Sequence, residues 1–185
     1  MAPEPIQFRR IVSKDFEKAA VLKQLYETAF PASERRDFGV LLELLQEPAM
    51  YLHAVILKGN IVGLIVHWKW EDILYLEHLA IVSGMRGRGI GQQAMEWLLK
   101  HNQQVCILEV EKPEDEASEK RIAFYKRLGF RLHSEFNYAQ PPYRRGEKAV
   151  LMLLMSKPAV PAVTELPQLA SLIREQVYEK YYSQS

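Results

Sequence analysis

The sequence predicts a single α/β domain in which a meander of antiparallel strands feeds a glycine-rich loop and a helix. Three observations carry this. Apolar residues at Leu74, Leu76, Leu79, Ile81 and Val82 mark a strand. The run Arg86-Gly87-Arg88-Gly89-Ile90-Gly91 follows it, with three glycines alternating with larger residues. Beyond the glycines, Ile90, Ala94, Trp97 and Leu98 fall at i, i+4, i+7 and i+8, one face of a helix. A strand, a glycine loop and a helix in that order make a phosphate site. The first N–H groups of the helix have no internal partner and carry the positive end of its dipole. Glycines let a pyrophosphate approach the backbone closely, and Arg86 and Arg88 add charge.

Composition bounds the rest. At 185 residues, 48% hydrophobic and 25% charged, the chain suits one soluble globular domain. A net charge of +1 gives no general basic field for nucleic acid. One cysteine cannot form an internal disulfide, so a reducing cytoplasm is expected. The stretch MAPEPIQFRRIV lacks the apolar core of a signal peptide, and no run reaches membrane-span length. No His/Cys/Asp cluster has metal-ligand spacing.

In chain order, Ile6 to Val12 reads as a strand, and Ser13 or Asp15 as the cap of a helix running to Phe30. Pro31 interrupts it. Arg35 and Arg36 precede a helix from Phe38 to Gln46; they read as a solvated helix start, or as a fork for an anionic part of a substrate. Met50–Lys58, Asn60–Trp70 and Ile73–Val82 form the meander, with Trp68 and Trp70 packing on one side. Val105–Glu111 is an apolar strand whose Cys106 reads as a small core residue. After an acidic loop, a helix from Ser118 to Leu128 stops at Gly129. Phe130–Tyr138 and Glu147–Ser156 are the last strands. The loop between them carries Tyr143, Arg144 and Arg145, as an exposed polar tip or as a wall of an acceptor pocket. Residues 158–185 add a proline-containing connector and a helix, with Leu166, Leu169, Ile173 and Val177 in helical register and Tyr178, Tyr181 and Tyr182 near the end. This tail is expected to pack on the domain of residues 1–157 or on a second subunit, as in a homodimer.

The loop excludes two common phosphate ligands. No Lys followed by Ser or Thr closes it as a Walker loop, and Gln92 stands where a dinucleotide fingerprint needs its third glycine. Arg86, Gly89 and Gly91 do fit [Q/R]-x-x-G-x-[G/A], and Phe124-Tyr125-Lys126-Arg127-Leu128-Gly129-Phe130 fits a helix ending F-Y-x-x-L-G-F. Together the two motifs resemble the GNAT superfamily of N-acetyltransferases.

That resemblance implies a mixed, mainly antiparallel sheet of about seven strands flanked by helices on both faces, with acetyl-CoA as cosubstrate and no metal. It implies that the backbone of Leu79, Ala80 and Ile81 pairs with the pantetheine arm and that Gly87, Arg88, Gly89, Ile90, Gly91 and Gln92 cradle the pyrophosphate beside Arg86. Ser118 stands where the family often has Asn, as a further cofactor contact. Tyr125 holds the family's general-acid position. Two carboxylates qualify as base: Glu77, on the face of Tyr75, Leu79 and Ile81, is preferred to Glu109, where some relatives that acetylate protein N-termini carry theirs. His78, on the face opposite Glu77, reads as a packing histidine. The expected reaction moves an acetyl group from acetyl-CoA to a primary amine of a small molecule by direct attack in a ternary complex. A protein N-terminus or lysine is the alternative acceptor, and a non-catalytic acyl-CoA-binding regulatory module the alternative from another class. No nucleic acid or membrane partner is expected.

Overall fold

The computed structural model describes residues 5–14, 16–158 and 165–182. Asp15 and most of the connector (159–164) lie outside the described residues. Seven strands form one sheet in the order β1-β2-β3-β4-β5-β7-β6. They are β1 Gln7–Ile11, β2 Met50–Leu57, β3 Asn60–Lys69, β4 Ile73–Ile81, β5 Val105–Glu111, β6 Arg131–Gln140 and β7 Val150–Lys157. The helices are α1 Ala19–Ala29, α2 Phe38–Glu43, α3 Ile90–Lys100, α4 Glu116–Arg127 and α5 Leu166–Ile173. The strands end within three residues of their expected limits. The chain divides into two compact units, and β4 gives its first three residues to the second and the rest to the first.

In the first unit, β1 pairs antiparallel with β2, and β2 with β3. The β2–β3 turn forces Lys58 to a φ of 52° and Gly59 to 73°, the left-handed region. Alternation along β3 turns Trp68 and His67 to opposite faces. On the Trp68 face lie α1 and the residues leading into α2, with Leu22, Tyr26, Phe38 and Leu41 buried. On the His67 face, Trp97 of α3 stacks on Phe8 of β1 at 4.4 Å and meets His53 edge-on. Met95 joins Ile90, Ala94 and Leu98 among the buried positions of α3, while Trp97 stays half-buried.

Two helix starts differ from expectation. Helix α1 begins at Ala19, four residues after Asp15, and no side chain caps it. Helix α4 begins at Glu116, not Ser118. Asp115 is the N-cap, and its carboxylate accepts from the Ser118 N–H at 2.8 Å while Ser118 Oγ accepts from the Asp115 N–H at 3.1 Å. This reciprocal box places the helix start at Asp115 and turns the Ser118 hydroxyl into it.

Gly63 of β3 has a packing reason. A Cβ there would stand 2.7 Å from the Ala80 carbonyl oxygen and 2.7 Å from Ile81 Cδ1. The carbonyl is backbone and cannot swing aside, so Gly63→Ala is expected to push β4 away. The variant should lose about 1–3 kcal/mol of stability in a denaturant melt, as overpacked cores do. A melt matching wild type would show that the two strands have slack.

In the second unit, β7 pairs antiparallel with both β5 and β6. Cys106 lies opposite Lys157, whose ammonium reaches the Leu128 carbonyl at the end of α4. The C-terminal segment packs on this unit: Leu166, Ile173, Val177, Tyr178 and Tyr181 are buried. After α5 the helix widens to a π turn over Arg174–Tyr178 and tightens over Glu179–Tyr181.

Candidate active site

The glycine loop takes the form its residue types require. Strand β4 runs into a tight turn, Ser83–Met85, and Arg86 leaves it extended. Gly87 and Gly89 both sit at φ 74°, open to glycine at little cost, and Gly89 is the N-cap of α3. The N–H groups of Ile90, Gly91 and Gln92 in the first turn then have no helical acceptor, while Gln93 closes the first helical bond onto Gly89. Arg86 Nε donates to the Ile81 carbonyl at 3.0 Å, which ties loop to strand. Arg88 is exposed, and Gln92 donates to Glu96 at 2.8 Å. The arrangement suits an anion at the helix start.

Along β4, Glu77, Leu79 and Ile81 are half-buried and alternate with buried His78 and Ala80. The Glu77 side chain itself has no exposed surface, so what solvent reaches of that residue is main chain.

The structure places Glu77, the preferred base, in a buried polar cluster. The Glu77 carboxylate accepts from the Trp68 indole N–H at 2.6 Å and lies 3.3 Å from Arg36 Nε. Arg36 is no solvated helix start: it is 3% exposed. A carboxylate whose oxygens face a guanidinium and an indole, away from water, is a buried ion pair. His78 does not point away from Glu77, for its Nε2 comes within 3.8 Å of the carboxylate. Tyr26 completes the cluster: its hydroxyl accepts from the Arg36 backbone N–H at 3.1 Å and lies 3.4 Å from His78 Nε2. Arg35, beside them, is half-buried and donates to the Phe30 carbonyl at 3.1 Å.

Burial keeps His53, His67 and His78 neutral. It lowers His78 to about 4, with Glu77 opposing, and His67 to about 3, aided by His53 and Lys69. Unfolded histidine titrates near 6.5. Their stabilising contribution is therefore complete above pH 6.5 and drains away as the pH falls toward 4, as the unfolded chain takes up protons first. Each should contribute a slope of up to about 1.4 kcal/mol per pH unit in that window. Thermal midpoints measured from pH 7 to pH 4.5 should fall steeply, and His67→Phe should flatten the fall; a flat wild-type profile would contradict the burial argument.

In the second unit, Tyr125 on α4 sits edge-on to Phe124 and Phe130, and burial raises its phenol well above the ordinary value. Among the described residues its hydroxyl has no hydrogen-bond partner, so the proton stays on it and is free to be donated. Burial likewise lifts the Cys106 thiol to about 12, which removes it as a nucleophile. Glu109 is half-buried on β5 and accepts from two phenols, Tyr138 of β6 and, at 2.9 Å, Tyr178 of the C-terminal π turn. Tyr143 is not an exposed tip: at 2% exposure it packs on Tyr178 with ring centroids 4.9 Å apart. Two prolines and a buried ring hold that loop down. Arg144 lies 3.6 Å from Glu147. Sequence reasoning missed Trp68, Tyr138 and Tyr178 as polar partners, because hydrophobic periodicity records where an aromatic ring is buried and not where its N–H or O–H points.

Residues 19–130 match the family model of the acetyltransferase (GNAT) family. The chain belongs to that family. Its fold is shared with a protein from Bacteroides thetaiotaomicron described as a GNAT-family acetyltransferase: 28% identity, 93% of this chain and 98% of that one, TM-score 0.85. The ribosomal-protein-S18-alanine N-acetyltransferase of Escherichia coli shares it at 16% identity, over 85% and 96% of the two chains, TM-score 0.60. A GNAT acetyltransferase from Elizabethkingia anophelis with acetyl-CoA bound does so at 16% identity, over 82% and 96%, TM-score 0.54. Sequence comparison with curated proteins finds no match. GNAT membership accounts for the glycine loop on α3 and the F-Y-x-x-L-G-F end of α4. Among the described residues no group of three or more His, Cys, Asp or Glu side chains could hold a metal ion, and no helix is long and apolar enough to cross a membrane.

Proposed function

We propose that this GNAT protein transfers the acetyl group of acetyl-CoA to a primary amine by direct attack in a ternary complex. The observation that carries the reading is the loop at the start of α3, with two left-handed glycines, unpaired first-turn N–H groups and an exposed Arg88. These groups take the pyrophosphate of CoA, with Arg86 beside them. The backbone of Leu79 to Ile81 pairs with the pantetheine arm, and its N–H groups stabilise the oxyanion of the tetrahedral intermediate. Tyr125, protonated and unpartnered, gives its proton to the departing CoA thiolate.

An alkyl ammonium must lose a proton before it attacks, since its pKa is about 10 by analogy with lysine. With Glu77 locked to Arg36 and Trp68, Glu109 takes that role, directly or through a water. A small-molecule amine is the acceptor we put first. A protein N-terminus is the second reading. Glu109 favours it, since that is where some N-terminal acetyltransferases of the family carry their base, and the E. coli structural neighbour is itself an alanine N-acetyltransferase. Arg144 of the β6–β7 loop and Arg35 before α2 are the side chains we assign to acceptor selection, with buried Tyr143 holding the loop. CoA release measured against a panel of small amines, lysine peptides and N-terminal peptides tests the proposal. Release with one acceptor class supports the enzyme and names its substrate. Acetyl-CoA binding with no release across the panel would favour a CoA-sensing module.

A further inference from the structure

Glu109 is held by a part of the chain that lies outside the matched family stretch. The family model ends at residue 130, whereas Tyr138 and Tyr178, which both donate to this carboxylate, come later. We propose that the C-terminal helical segment is a working part of the transfer site, with Tyr178 as a positioning residue that fixes the Glu109 carboxylate as an oriented anion. This rests on the reading of Glu109 as base.

The direction of the protons carries the argument. An ionised carboxylate only accepts, so Tyr178 spends its single proton on Glu109 Oε2 at 2.9 Å. Its oxygen must then accept from its other neighbours. Gln140 Nε2 donates to it at 3.1 Å, and the Tyr75 hydroxyl, 3.0 Å away, is left as a donor too. Tyr138 donates to the second carboxylate oxygen. Donors on β6 and the C-terminal segment thus converge on one acceptor on β5, with Tyr75 and Gln140 behind Tyr178. Tyr75, Gln140, Tyr138 and Tyr178 are all buried, so the bonds of Tyr75 and Gln140 to the Tyr178 hydroxyl are shielded from competing water.

The helix geometry fits the same role. Tyr178 closes the π turn Arg174–Tyr178, where α5 takes in an extra residue and re-aims the side chains that follow. Single π turns of this kind recur at functional sites. Of the charged groups on the packed elements, Arg174 bears on Tyr138 by its charge and is exposed at the start of that turn.

Tyr178→Phe keeps the ring and its stack on Tyr143 and deletes only the donor. Its kcat should fall about tenfold on the acidic side, with the acidic limb of the pH–kcat profile displaced upward by about one pH unit. KM for acetyl-CoA should stay within twofold and the thermal midpoint close to wild type, which a purely structural role would not combine with a displaced limb. Tyr138→Phe removes the other donor and should displace the limb in the same direction; it is the readout if Tyr178→Phe does not fold. An unmoved limb in either folded variant, with Glu109→Gln inactive, overturns the positioning role while leaving Glu109 as base. Wild-type turnover in Glu109→Gln overturns both.

Discussion

Arg36→Ala is expected to cost about 3–5 kcal/mol of stability, because it strands the Glu77 carboxylate in a place water does not reach. The side chain of Glu77 has no exposed surface, and its charge would then face the Trp68 indole and a neutral His78. A denaturant melt monitored by tryptophan fluorescence reads the effect directly, since Trp68 donates to the same carboxylate. Pairing the change with Glu77→Gln should recover part of the loss, because the residual group is then neutral and can still accept from the indole. A loss under about 1 kcal/mol in Arg36→Ala would contradict the buried-pair description. The same experiment separates stability from chemistry: a folded Glu77→Gln variant should keep its pH–rate limb, since Glu77 is assigned no proton to move.

Tyr125→Phe is expected to lower kcat by about 10² to 10⁴, the range typical of a positioned proton donor. The hydroxyl makes no hydrogen bond among the described residues, so its removal should leave the melt nearly unchanged, and the ring contacts with Phe124 and Phe130 persist. Acetyl-CoA affinity should also hold. Stopped-flow or steady-state CoA release on the folded variant is the check, and turnover equal to wild type would remove Tyr125 from the mechanism.

These two residues show where sequence is and is not legible. Tyr125 lies in a local string whose spacing around a helix stop at Gly129 is itself the signal, and the glycine loop is likewise local, so both could be read directly. The strands of β2, β3 and β5 were equally plain, since alternation and turn residues are properties of a few consecutive positions. The Arg36–Glu77 pair joins residues 41 positions apart, and nothing in PASERRD distinguishes a buried arginine from a solvated one. Alternation puts Glu77 on the face of Tyr75, Leu79 and Ile81, and alternation does not foresee an ion pair. Glu109 and Tyr178 are 69 positions apart, with the π turn aiming the tyrosine. The α4 start shows the same limit at short range. Asp115 and Ser118 both suit a cap, and only the reciprocal hydrogen bonds decide between them.

The most direct test of the whole account is calorimetric titration of the protein with acetyl-CoA. One site per chain, abolished or strongly weakened when Arg86 and Arg88 are both replaced by alanine, is the predicted result, since in the proposed site each would give a charge-assisted bond to the pyrophosphate. No heat of binding in wild type, confirmed by an unshifted thermal midpoint at saturating acetyl-CoA, would contradict the assignment of the loop from Arg86 to Gln92.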